Sequence, residues 1–484
     1  MSAGVVAAVD DHGTVQLAGR GWTVEWWIGA EDRWHRSGAE VGVRQERLGP
    51  GPVLETAMRV PGGDVLARVG AAEVDGSVVA VEFENRSAVP VALAVVLRPF
   101  SLGGPGRAHR VRVDSSTMWV DDEPALVLDR LPAAVVVGDA GDDLCDRLDA
   151  DATQAADATE HVCAAGMATV AAVVPLAHTA VARMVLGAAD GRVLARVPTV
   201  AQVAQGWSAH LVGAELDLPE GLDQAQLDLA TVVLAARNLP DWAFADRAVT
   251  VDDQARVLEA LVRSGHPTGA AEVDRWLAAT GVPARHAGAA AMVVTRAALD
   301  ADPNWFDEYL GWAADSIGRG LDHGDADAGR AAAALAALLD RTSQPDAARR
   351  VAQGWQPASV VAELDVVGVV DPSAAATRII RRLGAVVADR PDGADLLSDV
   401  PAAWLGRSID VRDAPTAHGP VSFSVRWHGA RPALLWERQP WPGAASWTVR
   451  CPGLDPTWSS TDDRGEALLA EPDDGSARLA RSVE

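Results

Sequence analysis

Apolar and polar positions alternate in short runs through the first part of the chain. Val15 and Leu17 flank Gln16, and Thr23-Val24-Glu25-Trp26-Trp27 continues the alternation. β-Branched runs follow at 77–83 and 91–98, then at 110–113, 125–128, 133–137, 168–174 and 178–186. Between them stand turn residues such as Gly19-Arg20-Gly21, Pro61-Gly62-Gly63-Asp64 and Asn85-Arg86-Ser87. A period of two residues buries one face and exposes the other. The runs therefore predict short antiparallel strands in two packed sheets, a β-sandwich over residues 1–211.

The period changes near Pro219, after a linker at 212–222. Residues 223–238 carry Ala225, Leu229, Val232, Val233 and Ala236 at helical spacing. Further helices are predicted at 253–264, 269–280, 283–299, 305–320, 326–341, 345–354, 358–364, 372–383 and 392–405, separated by Gly, Pro and Asp. Short loops favour antiparallel helical hairpins, and Ala-rich faces such as 331–337 allow close approach. The helical domain is set at 222–410. Past Pro415 the strand period returns at 421–427, turns at His428-Gly429, comes back at 433–437 and recurs at 447–450. This is a short C-terminal β element, 415–471, expected to pack on the helices, and the polar end is expected to fray. The fold class is multidomain β plus α.

Composition narrows the function. The 484 residues carry a formal charge of −25, and every Lys/Arg-type cation is arginine. Such a chain repels phosphate backbones and anionic bilayers, so neither nucleic acid nor membrane is an expected partner. Residues 1–10 lack the pattern of a signal peptide, and no apolar run reaches the roughly 20 residues of a membrane span. Three scattered cysteines without CxxC spacing fit a reducing compartment, and the expected location is the cytoplasm. Histidines are isolated, and GxSxG, Walker and GxGxxG motifs are missing, so no metal or cofactor is expected. Seventeen Trp against one Tyr and five Phe is a skewed aromatic set. An indole offers a flat apolar face that suits a sugar ring or a protein core.

Two words near the start, Val9-Asp10-Asp11-His12-Gly13-Thr14-Val15-Gln16-Leu17 and Gly21-Trp22-Thr23-Val24-Glu25-Trp26-Trp27, look like a strand, a turn and an aromatic strand opening a sandwich. Pro52-Val53-Leu54-Glu55-Thr56, with Arg59 and Gly62-Gly63-Asp64, adds a hairpin, and Leu239-Pro240-Asp241-Trp242 with the 255–276 stretch adds a helical hairpin. With the order sandwich then helices, these resemble the glucoamylase- and trehalase-like glycoside hydrolases, family 15 and its relatives. The resemblance implies an (α/α)6 toroid and inverting hydrolysis of an oligosaccharide or α-glucan. The span 222–410 is short for a full toroid. The family's aromatic-glutamate loop and a second glutamate in the last hairpin are not found, which keeps open a catalytically silent relative that binds a glycan or a protein in glycan or cell-envelope metabolism.

An inverting glycosidase needs two carboxylates about 6.5–9.5 Å apart, one protonated and one ionised. Carboxylates beside Trp in loops are therefore the candidates. Asp241 and Trp242 follow Pro240 in the first inter-helix loop, or serve the cap of the next helix. Trp305, Asp307 and Glu308 open a helix, with Trp312 about two turns beyond Trp305; they form a sugar subsite, or a capped helix start with acids at the positive dipole end. The tail hairpin gathers Arg426, Trp427, His428, Trp436 and Glu437. There Trp427 and Trp436 are expected on one side and Glu437 on the other, as packing or as a cleft wall. The catalytic candidates are thus Asp241, Glu308 and Glu437.

Overall fold

The structure is a computed structural model that describes residues 7–74, 76–142, 144–151, 159–188, 192–211, 215–219, 222–237, 239, 249–281, 286–300, 302–323, 325–342, 347, 372–443 and 446–472. Its contacts divide the chain into two compact units, 1–210 and 211–484. β-Rich, helical and again β-rich segments follow one another along the sequence, with nine α-helices among the described residues.

The first unit is built on two large antiparallel sheets. One orders its strands Ala7–Val9, Val15–Leu17, Thr23–Gly29, Val91–Arg98, Ala168–Leu176 and Ala134–Asp139, with Trp34–Arg36 added beside Thr23–Gly29. The other has nine strands and centres on Val181–Leu186, Ser77–Asn85, Gly63–Glu73 and Leu54–Val60. The alternation explains the core. Val24, Trp26 and Ile28 turn one way from their strand into a cluster with Met58, Phe83, Leu93, Val95 and Leu126, all nearly inaccessible.

Two helices lie outside this core where the sequence pattern predicts only strands. Leu144–Asp151 packs Leu144 and Leu148 against Trp27, Ala94, Val96 and Ala171. Val200–His210 packs Val200 and Val203 against Val53, Val78, Ala80 and Val185. Gly70 lies under this helix, and a Cβ there would meet the Val200 and Val203 side chains at ordinary van der Waals distance, 3.4–3.6 Å. Both strands and helices are satisfied because several strands are apolar on both faces, as Val78-Val79-Ala80-Val81 shows.

The second unit begins with a correction to the linker. Glu215–Asp217 is a strand, paired antiparallel with Ile409–Ala414 through Leu216 and Val411. The helices follow: Leu222–Arg237, Val251–Arg263, Gly269–Thr280, Ala287–Ala298, Leu310–Asp322, Ala326–Arg341 and Pro372–Val386. Val251–Arg263, Ala287–Ala298 and the middle of Ala326–Arg341 are buried nearly all round. Gly269–Thr280 and Leu310–Asp322 bury only one stripe, so buried and half-exposed helices alternate along the chain. The stretches expected as helices at 345–354 and 358–364 lie outside the described residues, save Ala347.

The helix expected at 392–405 is not there. Gly393–Leu396 is a buried strand and Ala402–Trp404 a single 3-10 turn. Gly393 decides this: its φ is +157°, and a Cβ there would collide with the Thr448 backbone. That close approach lets Gly393–Leu396 pair in parallel with Thr448–Cys451. The C-terminal part is correspondingly larger than a hairpin. A five-stranded sheet, which includes the strand from 215–217, faces a four-stranded one. Leu396, Trp404, Val411, Phe423, Val425, Trp436 and Trp447 fill the core between them.

Candidate functional site

Four helices of the second unit run in the same direction. At the start of Val251–Arg263, Asp253 accepts a hydrogen bond from Ser373 at the start of Pro372–Val386, 2.7 Å. Asp252 of the same turn lies 3.4 Å from His286, which precedes Ala287–Ala298. Arg256, one turn on, reaches Asp327 at the start of Ala326–Arg341, 3.1 Å. At the other end Arg341 donates to the Ala298 and Asp300 carbonyls. Four helix N-termini therefore converge at one end of the array, and a cluster of carboxylates answers their positive dipole ends.

From that end a ladder of charges descends into the array. Asp253, Arg256, Glu259 and Arg263 are spaced by three, three and four, which places them on one helical face. Glu259 is 1 % exposed and is held by Arg263 at 2.8 Å and Arg330 at 3.5 Å. Arg330 also binds Asp327 at 2.7 Å, and Arg263 continues to Asp389 at 3.4 Å, whose carboxylate takes the Ala417 amide. Burial pushes the Asp327 carboxyl up, but the Arg330 and Arg256 guanidinium groups outweigh it and hold it below the usual range. Burial lowers Arg330, and Glu259 with Asp327 more than restores it. Asp253 follows the same logic, with the Ser373 and Thr250 hydroxyls and Arg256 overcoming desolvation. The ladder was legible as a helical face, but charges at that spacing are usually solvated, and nothing in the sequence marked this face as buried.

The aromatic-acid segment lies near the C-terminal end of the Ala287–Ala298 helix. Asn304–Glu308 is a 3-10 turn running into Leu310–Asp322. Trp305 is half-buried; its indole N–H donates to Asp300 at 3.3 Å, and the Arg296 guanidinium sits 5.0 Å from its ring centre. Arg296 also pairs with Asp300 at 2.6 Å. Burial opposes ionisation of Asp300, but Arg296, the Asp302 amide and the Trp305 N–H hold its carboxyl below the usual range. The Tyr309 ring meets Trp305 edge-on at 5.8 Å, and burial together with its bond to Glu308 raises the phenol. Asp307 and Glu308 are exposed, and Trp312 is half-buried one helical turn past Tyr309. Neither Asp302 nor Asn304 caps the Leu310–Asp322 helix, whose N-cap is Tyr309 without a side-chain bond.

In the tail hairpin Val421–His428 pairs with Arg431–Arg438. Phe423 stands opposite Trp436, and Trp427 opposite Pro432, so Trp427 and Trp436 share the face turned to the core. Trp436 is 7 % exposed, donates to the Asp462 carbonyl and meets Trp458 edge-on at 5.0 Å. Trp427 is half-buried and donates to the Arg407 carbonyl at 2.8 Å. Arg426 grips Asp410 through two bonds of 2.7 and 2.8 Å. His428 is exposed at the turn, and Glu437 is exposed on the opposite face from Trp436. Asp241 and Trp242 lie outside the described residues. The candidates thus fall on two separate elements of the second unit, the Asn304–Glu308 turn with its helix and the tail hairpin.

Among the described residues no three His, Cys, Asp or Glu side chains are placed to hold a metal ion. No helix among them is long and apolar enough to cross a membrane.

No family model matches the sequence, and no curated protein matches it. Among solved structures the chain is similar to one described as a kojibiose phosphorylase, from human microbiome. That match has 8 % identity and a TM-score of 0.38, covering 92 % of this chain and 88 % of the other. It is also similar to a family GH92 alpha-mannosidase from Bacteroides thetaiotaomicron, at 10 % identity and a TM-score of 0.18, covering 68 % of this chain and 52 % of that one. At these scores neither match fixes the fold or the chemistry of this chain.

Proposed function

We propose that this protein is a carbohydrate-binding relative of the glucoamylase- and trehalase-like glycosidases, with a sugar ring resting at the aromatic start of the Leu310–Asp322 helix. One observation carries the reading: Trp305 is half-buried, with its edge held by Asp300 and its ring by Arg296, and the exposed Asp307 and Glu308 stand beside it. A ring fixed before the ligand arrives loses little freedom on binding, and hydroxyls find carboxylate acceptors next to it. The four parallel helices are read as an arc of an (α/α)6-type ring, and the expected setting is the cytoplasm.

The finer reading is inverting hydrolysis of an oligosaccharide or α-glucan by a pair drawn from Asp241, Glu308 and Glu437. It requires one carboxyl whose proton is retained near neutrality. Every described carboxyl whose ionisation departs from the ordinary departs downward, from Glu40 and Asp64 in the first unit to Asp253, Asp300 and Asp327 in the second. That direction suits ion pairs.

The test is paired calorimetry and reducing-sugar release on maltose, maltotriose, trehalose and cellotriose. Binding without release is the expected result, and Trp305→Ala should weaken it about tenfold. A set of isotherms in which no saccharide-binding event weakens on Trp305→Ala would remove this site, and release abolished by Glu308→Gln would restore hydrolysis.

A further inference from the structure

The first unit holds a cavity that the Trp305 reading does not use. The Trp34–Arg36 strand, the turn that follows it and the Leu144–Asp151 helix border an open space of about 540 Å³. Pockets for small ligands run from about 300 to 1,000 Å³. One wall is Trp34. Its indole N–H donates to Asp149 of the helix at 3.0 Å, and its ring lies over Gly29, where any Cβ would come within 3.0–3.1 Å of three ring atoms. The ring is thus fixed at its edge and beneath its plane, yet it remains half-exposed.

The polar lining is equally constrained. Arg33 binds Glu40 at 2.5 Å, and the same carboxylate oxygen meets His35 at 3.2 Å. His35 is 4 % exposed and reaches Asp32 with its other ring nitrogen at 2.9 Å. The Arg33 bond, against the cost of burial, holds the Glu40 carboxyl below its usual range, so it is an ionised acceptor at neutral pH. Arg36 places its guanidinium 6.0 Å from the Trp27 ring centre and makes no ion pair among the described residues. Two guanidinium groups (Arg33, Arg36) and two carboxylates (Glu40, Asp149) line the space, so its formal charge is zero.

A balanced lining favours neither an anion nor a cation by direct contact, and the chain's formal charge of −25 disfavours an anion from further off. It offers donors and acceptors side by side, which is what a hydroxyl needs because it does both. A flat aromatic wall completes the requirement of a ring that is apolar on one face and hydroxylated at its edge. We propose that this cavity binds a neutral saccharide, at a site composed of other residues than the Trp305 segment. The inference stands on the first unit alone and does not require the Trp305 reading.

The experiment is calorimetric titration of the full chain with methyl α-glucoside, maltotriose and cellotriose, with glucuronate and inorganic phosphate as the charged alternatives. It is run on the Trp305→Ala variant, so that a failure of the Trp305 site and a failure of this one are read separately. The expected result is one neutral-saccharide binding event that survives Trp305→Ala. Trp34→Ala or Arg36→Gln in that background should then weaken it about tenfold. Arg36 is exposed, so Arg36→Gln should leave the thermal midpoint unchanged; Ala39→Trp, which fills the space from its wall, serves if Trp34→Ala does not fold. No neutral saccharide bound in the Trp305→Ala background overturns the proposal. So does affinity unchanged by Arg36→Gln and Ala39→Trp, or tighter binding of phosphate or glucuronate than of every sugar.

Discussion

Asp228, on the Leu222–Arg237 helix, accepts two hydrogen bonds from the guanidinium of Arg378 on Pro372–Val386, at 3.0 and 2.6 Å. The carboxylate is 1 % exposed. The pair joins the first and last described helices of the array, 150 residues apart in sequence. A buried pair can cost as much in desolvation as it returns, but removing the carboxylate takes the main counter-charge from an Arg378 side chain that is only 26 % exposed. Asp228→Ala should therefore destabilise the second unit by about 1–3 kcal/mol, short of the cost of a fully buried pair because Arg378 keeps some contact with water. Urea unfolding followed by circular dichroism would measure it; a loss below about 1 kcal/mol would mean that Arg378 finds water or another carboxylate.

The pairing also shows where sequence reading stops. The helical period sufficed for Gly269–Thr280 and Ala326–Arg341, whose bounds match the pattern, because each has an apolar stripe and a clear stop. It misled at 392–405, where Ala394, Leu396 and Leu397 fit either period and only the Gly393 contact with Thr448 selects a strand. Leu144–Asp151 went unread because two leucines make a helical stripe too short to register. Asp228 and Glu259 carry charges of a kind usually solvated on a helix, and nothing local tells a helix which face a distant partner such as Arg378 or Arg330 will close. The Trp427 and Trp436 shared face, by contrast, follows directly from strand alternation.

Acid should weaken the second unit through the charge ladder and the Arg296–Asp300 pair. Asp253, Asp300 and Asp327 all have folded-state pKa values below the ordinary one. A carboxyl depressed on folding stabilises the native state fully above its unfolded pKa, about 3.9, and loses that contribution as pH falls through the folded value. Stability should hold from pH 7 to about 5 and fall steeply below about pH 4. Asp327→Asn should lower the urea midpoint at pH 6 and flatten the decline between pH 5 and pH 3. A parallel decline in wild type and variant would place the acid sensitivity elsewhere.

The thiols should report the cores. Burial pushes the Cys451 thiol up to about 12, and Cys163 is also buried, while Cys145 is half-buried beside the first-unit cavity. The thiolate is the reactive form, so a chromogenic disulfide reagent at pH 8 should modify Cys145 quickly and the other two only on unfolding. Fast labelling of Cys451 in the native protein would contradict the closed core between the two C-terminal sheets. Neutral sugar that slows Cys145 labelling would be an independent sign of occupancy at the neighbouring cavity.

Three of the five tryptophans singled out by sequence, Trp305, Trp427 and Trp436, should separate by what surrounds them. Trp436 lies in the core with Phe423 opposite and Trp458 at its edge, so Trp436→Ala should cost about 3–5 kcal/mol through lost contacts and the cavity left behind. Trp427 sits at the margin of the same core with its N–H bound to the Arg407 carbonyl, and its truncation should cost less because part of the ring already faces water. Trp305 is the case that decides the functional reading. Its ring touches Arg296, Phe306 and Tyr309, and its N–H reaches Asp300, so Trp305→Ala removes a cation–π contact as well as the proposed sugar platform. A contact of that kind at a half-buried site is worth about 0.5–2 kcal/mol, which a stable unit tolerates. An aromatic platform contributes about 1–3 kcal/mol to a stacked ring, by analogy with bases on aromatic side chains. The expected outcome is a thermal midpoint lowered by a few degrees, together with saccharide affinity weakened about tenfold or more. Trp305→Phe should recover most of the stability and part of the affinity, since it keeps a flat face and loses the bond to Asp300. If Trp305→Ala instead collapses the midpoint while the remaining folded protein binds sugar as well as wild type, Trp305 is a packing residue, and the aromatic start of the Leu310–Asp322 helix has no part in recognition.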